Sequence, residues 1–392
     1  MLGALAATQL GFLNALAVGF RLPNQDPEAI ARGNAFVATA DNASAIYYNP
    51  AGITQLKGQT FQAGLYMISA NTDFTSVTGA KASTRGDFQP VPQLHYVLSP
   101  KDSPFSYGLG IYSPYGLGLD WGNNAPFRVL AEKGSLLYGT VNPVIAWRIN
   151  STLSLAIGPT INYSDATFKR GIGLLPGDQF QFKGSGLDFG FNAGVLWQPR
   201  SEWSFGVNYR YTTTVDYSGD SKTTPSPPLP TSSSTHASIR FPQFVVAGVS
   251  YRPTEKWNFE CDVDWTDWDN LNQIVLRGTA FGNVPLDLNY RSSLMYEFGV
   301  TRKLENGYFV STGYIYSENS SPDQNFSPLI PDSNLHLGSF GFGHRGQRWD
   351  WAAGYHFAYS AGREVRSNPV SVADGTYRTF NHAFDLSVTF KF

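Results

Sequence analysis

The feature that most constrains this chain is a period of two that recurs from Gly58 to the last residue. Trp257, Phe259, Cys261, Val263 and Trp265 alternate with Asn258, Glu260, Asp262, Asp264 and Thr266. Trp203, Phe205, Val207, Tyr209 and Tyr211 alternate with Ser204, Gly206, Asn208 and Arg210. Trp349 to Tyr359 and Phe384 to Phe392 repeat the pattern. Side chains of a strand point alternately to its two faces, so each segment presents one apolar face and one polar or small face. The connections alternate as well. Short turns fall near Pro100, Asn150, Pro199, Pro253, Glu305 and Arg345, and longer loops near residues 71–85, 117–134, 170–186, 216–236, 270–287, 317–333 and 361–376. These connections join fourteen strands. A soluble sandwich has no reason to sort its loops by length, whereas a membrane barrel has an even strand number, short turns on one side and long loops on the other. The expected fold is therefore all-β: a 14-stranded antiparallel transmembrane barrel.

Composition excludes the alternatives. Charged residues are 15% of the 392, against about 25% in soluble domains. Aromatic residues are also 15%, and the net charge of −2 suits neither a disordered chain nor a nucleic-acid binder. A single cysteine, Cys261, rules out a disulfide scaffold. No run of about 20 apolar residues follows Val18, which rules out a helical membrane bundle. Trp147, Trp197, Trp203, Trp257 and Trp349 all sit beside short turns, where an indole, apolar in body and polar at its N–H, favours a membrane interface.

Residues 1–17 are uncharged and end in Ala15-Leu16-Ala17, a small-x-small pattern that reads as a secretory signal peptide. Its basic n-region is missing, which leaves open a start upstream of Met1. Residues 18–57 break the strand pattern with small residues, Asn, Asp and Pro, and a short helix is expected within 27–38. A fourteen-stranded barrel is wide enough to need filling unless it is an open pore. Residues 18–57 are therefore expected to plug residues 58–392.

The stretch Ala38-Thr39-Ala40-Asp41-Asn42-Ala43-Ser44-Ala45-Ile46-Tyr47-Tyr48-Asn49-Pro50-Ala51-Gly52 resembles the hatch of the FadL/TodX family, outer-membrane channels for long-chain fatty acids and other hydrophobic compounds. Val18-Gly19-Phe20, the Gly108–Leu117 region, Leu187–Trp197, Arg240-Phe241-Pro242-Gln243 and Asp264-Trp265-Thr266-Asp267-Trp268 follow in family order, so the resemblance covers the mature chain. It implies a bacterial outer-membrane channel without catalysis. Ligand would touch the outer loops, enter a pocket above the hatch, and leave sideways beside a kinked third strand when the hatch moves. Asn49, Pro50, Ala51 and Gly52 would be the gating element, holding a turn against that strand. Pro114 and Gly116 sit inside the third strand, where Pro removes a ladder donor and Gly marks a bulge, so they would shape the opening. The other reading of Pro114 is a strand that simply ends there.

A carboxylate entering an apolar pocket needs a cation. Arg170 and Arg291 align with basic positions near the family's deep pocket, and Phe20 would touch the ligand tail. The other reading of the arginines is a loop rim facing lipopolysaccharide phosphates. Glu260, Asp262 and Asp264 read as a solvated or hydrogen-bonded lumen wall rather than an acid–base pair. The six His show no metal-ligand spacing. No cofactor, metal or nucleic acid is expected. The expected partners are long-chain fatty acids, or aromatic and alkane hydrocarbons, together with outer-membrane lipid and lipopolysaccharide around a monomer. A general porin would lack the plug, a barrel enzyme needs a Ser/His or Asp/His constellation that is not visible, and adhesion through the loops stays open.

Overall fold

In the computed structural model the described residues are 19–225, 231–366 and 368–392. The signal-peptide reading of residues 1–17 lies outside them. Fourteen antiparallel strands form the wall: β1 (Gly58–Ser76), β2 (Gln89–Ser99), β3 (Phe105–Asp120), β4 (Lys133–Arg148), β5 (Leu153–Arg170), β6 (Gln179–Arg200), β7 (Trp203–Arg210 continued by Thr213–Thr224), β8 (Ser232–Phe241 continued by Phe244–Thr254), β9 (Trp257–Thr266), β10 (Ser293–Lys303), β11 (Tyr308–Ser317), β12 (Leu335–Arg345), β13 (Trp349–Tyr359) and β14 (Gly375–Lys391). Strand β14 pairs with β1 from Thr60↔Lys391 to Ser76↔Gly375, which closes the barrel. Closure removes the unpaired edge that lipid could not solvate.

The wall is inverted relative to a soluble protein. On β14 the exposed side chains are Phe380, Phe384, Leu386, Val388 and Phe390, while Thr379, Asn381, Asp385, Ser387 and Thr389 are buried. Apolar groups face lipid and polar groups face the lumen, as the period of two expects. Trp147, Trp197, Trp203 and Trp349 are exposed beside the short turns. Among the described residues no helix is long and apolar enough to cross a membrane.

The lumen is filled by residues 19–57, which carry helices α1 (Pro27–Ala31) and α2 (Ala45–Tyr48) and a 3-10 turn at Pro50–Gln55. The helix expected within 27–38 stops at Ala31, because Gly33 and Asn34 adopt φ of 60° and 57°. That left-handed turn ends a helix where a residue with a bulkier Cβ could not. Asp26 caps α1 by accepting from Glu28 N–H at 2.9 Å and Ala29 N–H at 3.2 Å.

Candidate binding and exit site

The acidic row on β9 is a hydrogen-bonded lumen wall, as read from the sequence, and it is buried rather than solvated. It is the strip on which the N-terminal segment lies. Asp264 accepts from Arg21 Nη1 at 2.6 Å. Asp262 accepts from the Phe36 and Val37 N–H groups at 2.8 and 3.0 Å. Glu260 accepts from the Ala38 and Thr39 N–H groups at 2.7 and 3.1 Å and from Arg32 at 3.1 Å. The segment has little regular structure, so its backbone donors need partners elsewhere, and the carboxylates supply them. Beside the row, on the flanking strands, the wall lets the segment approach through glycine, with Gly248 paired to Asp262 and Gly299 to Glu260. A Cβ at Gly206 would overlap the Val37 carbonyl, and one at Gly313 would overlap Arg32 and Gly33 backbone atoms. Cross-strand pairs Gly206↔Gly248, Gly299↔Gly313 and Gly341↔Gly354 continue this smooth band around the barrel.

Near the short-turn side, Arg345 at the end of β12 clamps the segment. Its guanidinium reaches Asp41 at 2.9 Å and Glu28 at 2.5 Å. Burial alone would raise the Asp41 carboxyl, but the Arg345 guanidinium holds it well below the usual carboxylate range. A lowered carboxyl stabilises the fold above its unfolded value and loses that contribution as pH falls through its folded one. Titrating the protein from pH 7 to pH 5 should therefore leave the hydrogen-exchange protection of residues 38–44, relative to their intrinsic rates at each pH, unchanged. Release within that window would show that the clamp does not hold.

The wall has one irregular place. Strand β2 pairs with β1 up to Ile68↔Gln89, but with β3 only from Leu98↔Tyr107 to Leu94↔Ile111. Beyond Ile111, β3 has no partner on that side until Arg85 N–H donates to Asp120 C=O at 2.9 Å. On the other side its ladder to β4 shifts register between Tyr112↔Thr140 and Tyr115↔Tyr138, a bulge of one residue centred on Ser113-Pro114. The alternation of exposure on β3 also ends there, and residues 114–119 are all buried. The upper half of β3 has turned into the lumen. The N-terminal strand takes over the missing pairing from inside: Leu22 N–H donates to Pro114 C=O at 2.8 Å, and Gly116 N–H donates to Phe20 C=O at 2.9 Å.

That half of β3 also walls a cavity. A cavity of about 80 Å³ lies among Phe20, Leu117, Leu136, Phe168, Phe182 and Ile330, with only Ser135 and Thr167 polar along its lining. The hairpin Gln273–Thr279/Gly282–Asp287 and the loop around Leu329 cover it from the long-loop side. Phe20 is packed edge-on against Trp268 at 4.9 Å and Phe241 at 5.6 Å.

A family model described as outer membrane protein transport protein (OMPP1/FadL/TodX) matches residues 8–392. The chain belongs to this family. It is 25% identical over 377 residues to the long-chain fatty acid transport protein of Escherichia coli O6:H1, covering 84% of this chain and 83% of that one. Its fold is similar to the crystal structure of a Pseudomonas aeruginosa FadL homologue, with a TM-score of 0.85, 17% identity, and 95% and 100% of the two chains covered. It is also similar to the Pseudomonas putida toluene transporter TodX, with a TM-score of 0.74, 16% identity, and 92% and 98% covered. As a FadL/TodX family member it is an outer-membrane transport protein.

Against this background the residues singled out from the sequence separate into groups. Pro114, Gly116 and Phe20 come together at the irregular place. Asn49 to Gly52 do not join them. The turn they make packs on β6, where Asn49 Nδ2 donates to Val195 C=O at 2.9 Å and to Val37 C=O at 2.8 Å. Gly194 leaves room for it, since a Cβ there would overlap Asn49 Oδ1. From this region β3 is touched by Ile46 and Ile53, against Gly108 below the kink, and by Tyr47, edge-on to Tyr112 at 5.2 Å. Arg170 ends β5 with its guanidinium 5.8 Å from the Phe180 ring. Its Nε is buried without a hydrogen-bond partner among the described residues. Arg291 is exposed, and neither arginine lines the cavity. The glycine band and the use of the β9 carboxylates were not anticipated. Their only trace in the sequence is 39 glycines, many in the inward phase of the alternation.

Asn49→Ala removes both carbonyl partners and the 3.2 Å bond from Ala51 N–H to Oδ1. Each buried carbonyl left unpaired costs about 1–3 kcal/mol. Hydrogen exchange at residues 51–55 should quicken at least about tenfold, whereas exchange at the wild-type rate would mean the turn is held by packing alone.

Proposed function

We propose that the chain carries long-chain fatty acids passively across the outer membrane, through the apolar cavity and out sideways between β2 and β3. The observation that carries this reading is that Leu117, on the half of β3 that has left β2, is also a wall of the cavity. The ligand would enter from the long-loop side, and residues 18–57 would act as the hatch, withdrawing the Phe20–Leu22 strand to uncover the gap. Each buried methylene favours an apolar surrounding by about 0.8 kcal/mol, so a bound chain leaves for lipid far more readily than for water. No catalytic step is involved, and the protein would work as a monomer among outer-membrane lipid and lipopolysaccharide.

Arg170 is our candidate for the carboxylate. It lies two residues beyond Phe168 on one face of β5, about 7 Å along the strand. A head group at Arg170 would send its tail down past Phe168 and Phe182 toward Phe20. Purified protein should bind palmitate, and Arg170→Ala should weaken binding about tenfold, the loss of one charge-assisted bond. Arg291→Ala should change nothing. Palmitate binding that ignores Arg170→Ala would overturn the head-group assignment.

A second reading is uptake of uncharged hydrocarbons, favoured by a cavity lining that holds no basic side chain. Toluene should then bind as well as palmitate and be indifferent to Arg170→Ala.

A further inference from the structure

The extended N-terminal strand divides the lumen. Phe20 faces the cavity described above, while Arg21 to Asn24 border a second one of about 50 Å³, on the side of β1 and β10 to β14. Its wall is largely aliphatic, with Ile68, Ile315, Leu335 and Leu337. Buried polar side chains line it too: Ser317 of β11, whose hydroxyl has no partner among the described residues, and, on neighbouring strands, His356 of β13 and Asn381 of β14. Their register places them diagonally, since Ala358 pairs with Asn381 and His356 with Ala383. Diagonal neighbours lie about 7–8 Å apart, close enough for both side chains to reach one ligand atom.

Their hydrogen-bonding characters are complementary. Tyr66 Oη accepts from Asn24 Nδ2 at 2.9 Å and lies 3.5 Å from His356 Nε2. The Tyr66 hydrogen is then left to point at Nε2, and this network assigns the neutral Nδ1–H tautomer to His356. His356 Nδ1 and Asn381 Oδ1 have no hydrogen-bond partner among the described residues. One is a donor and the other an acceptor. A hydroxyl accepts from the first and donates to the second. A carboxylate at neutral pH can only accept, so it leaves Asn381 unpaired and meets it with like partial charge. A hydrocarbon pairs with neither, and unpaired buried polar groups are the strongest basis for rejecting a ligand. Arg21 brings no uncompensated charge that would draw an anion, since Asp264 holds its guanidinium at 2.6 Å.

We propose that this second cavity binds small uncharged compounds carrying a hydroxyl, phenols being the simplest aromatic case. It is separate from the cavity assigned above to the transported chain, and it does not depend on that assignment.

The test uses the full-length protein in detergent and fluorine NMR titration with 4-fluorophenol, 4-fluorotoluene and 4-fluorobenzoate. The wild-type protein should bind 4-fluorophenol saturably, and 4-fluorobenzoate should not compete. Asn381→Leu and His356→Leu should each weaken 4-fluorophenol about tenfold, the effect of leaving one polar partner unpaired, with 4-fluorotoluene unchanged. Leu136→Trp, which fills the first cavity, should abolish palmitate binding and spare 4-fluorophenol. If it abolishes 4-fluorophenol binding instead, the phenol sits in the first cavity and the proposal fails. It also fails if both compounds weaken equally in the Leu variants, or if the wild-type protein shows no saturable phenol binding and water alone satisfies the pair. Should either Leu variant not fold, competition by 4-fluorotoluene on the wild-type protein still decides whether a hydroxyl is required: it should not displace 4-fluorophenol, and displacement overturns the proposal.

Discussion

Replacing Gly313 by leucine should turn the sealed barrel into a water-filled pore. At Gly313 even a Cβ would overlap Arg32 and Gly33 backbone atoms, and a leucine adds three further carbons along the same line. The wall cannot yield, because β11 is paired along its length to β10 and β12. The N-terminal segment must move instead. Overpacking of a well-packed interior costs about 1–3 kcal/mol when neighbours can relax, and backbone held on both sides relaxes little. Displacement also breaks the bonds from Phe36, Val37, Ala38 and Thr39 to Asp262 and Glu260. The barrel should survive, since its strand-to-strand ladders close without the segment, which adds only the Leu22–Pro114 and Phe20–Gly116 backbone bonds to β3. In planar bilayers Gly313→Leu should give steady ionic currents where the parent protein gives almost none. A variant as silent as the parent would mean that the segment can shift without opening the lumen.

Deleting Pro114 should stop transfer while leaving binding in place. The bulge puts three steps of β3, from Tyr112 to Tyr115, opposite two steps of β4, from Thr140 to Tyr138. Removing one residue restores a plain ladder and lets the upper half of β3 return toward β2, whose Gln89 to Gln93 now pair with β1 alone. The side exit would then be closed by backbone hydrogen bonds. Cells carrying the deletion should take up labelled palmitate at least about tenfold more slowly than parent cells, whereas the purified variant should bind it within about twofold. That ratio corresponds to a barrier at least ~1.4 kcal/mol higher. Uptake at the parent rate would remove the side exit from the mechanism.

These two variants mark the boundary between what was readable in the sequence and what was not. Pro114 could be picked out because a proline in a strand is a local violation with a known consequence. The glycine band could not. Gly206, Gly248, Gly299, Gly313, Gly341 and Gly354 each occupy an ordinary inward position, and a strand read alone gives no reason why six of them should lie on one level of the barrel. The carboxylates of β9 behave likewise. Their alternation placed them in the lumen, but the groups that they accept from lie more than 200 residues earlier in the chain. Asn49 shows the converse. Its motif marked it correctly as part of a turn, yet the strand that it bonds is β6 and not β3, because Gly194 leaves the room for it.

What the sequence determined by itself is the barrel. A period of two with apolar residues on one face, low charge, and connections sorted by length are properties of single strands and of their order. Lipid on one side and water or plug on the other select for them residue by residue. What only the tertiary structure decided is the interior: where the N-terminal segment lies, which strand loses its neighbour, and where cavities remain between segment and wall. Those depend on the close approach of backbone that is irregular and distant in sequence, where packing and hydrogen-bond satisfaction, rather than periodicity, determine the result.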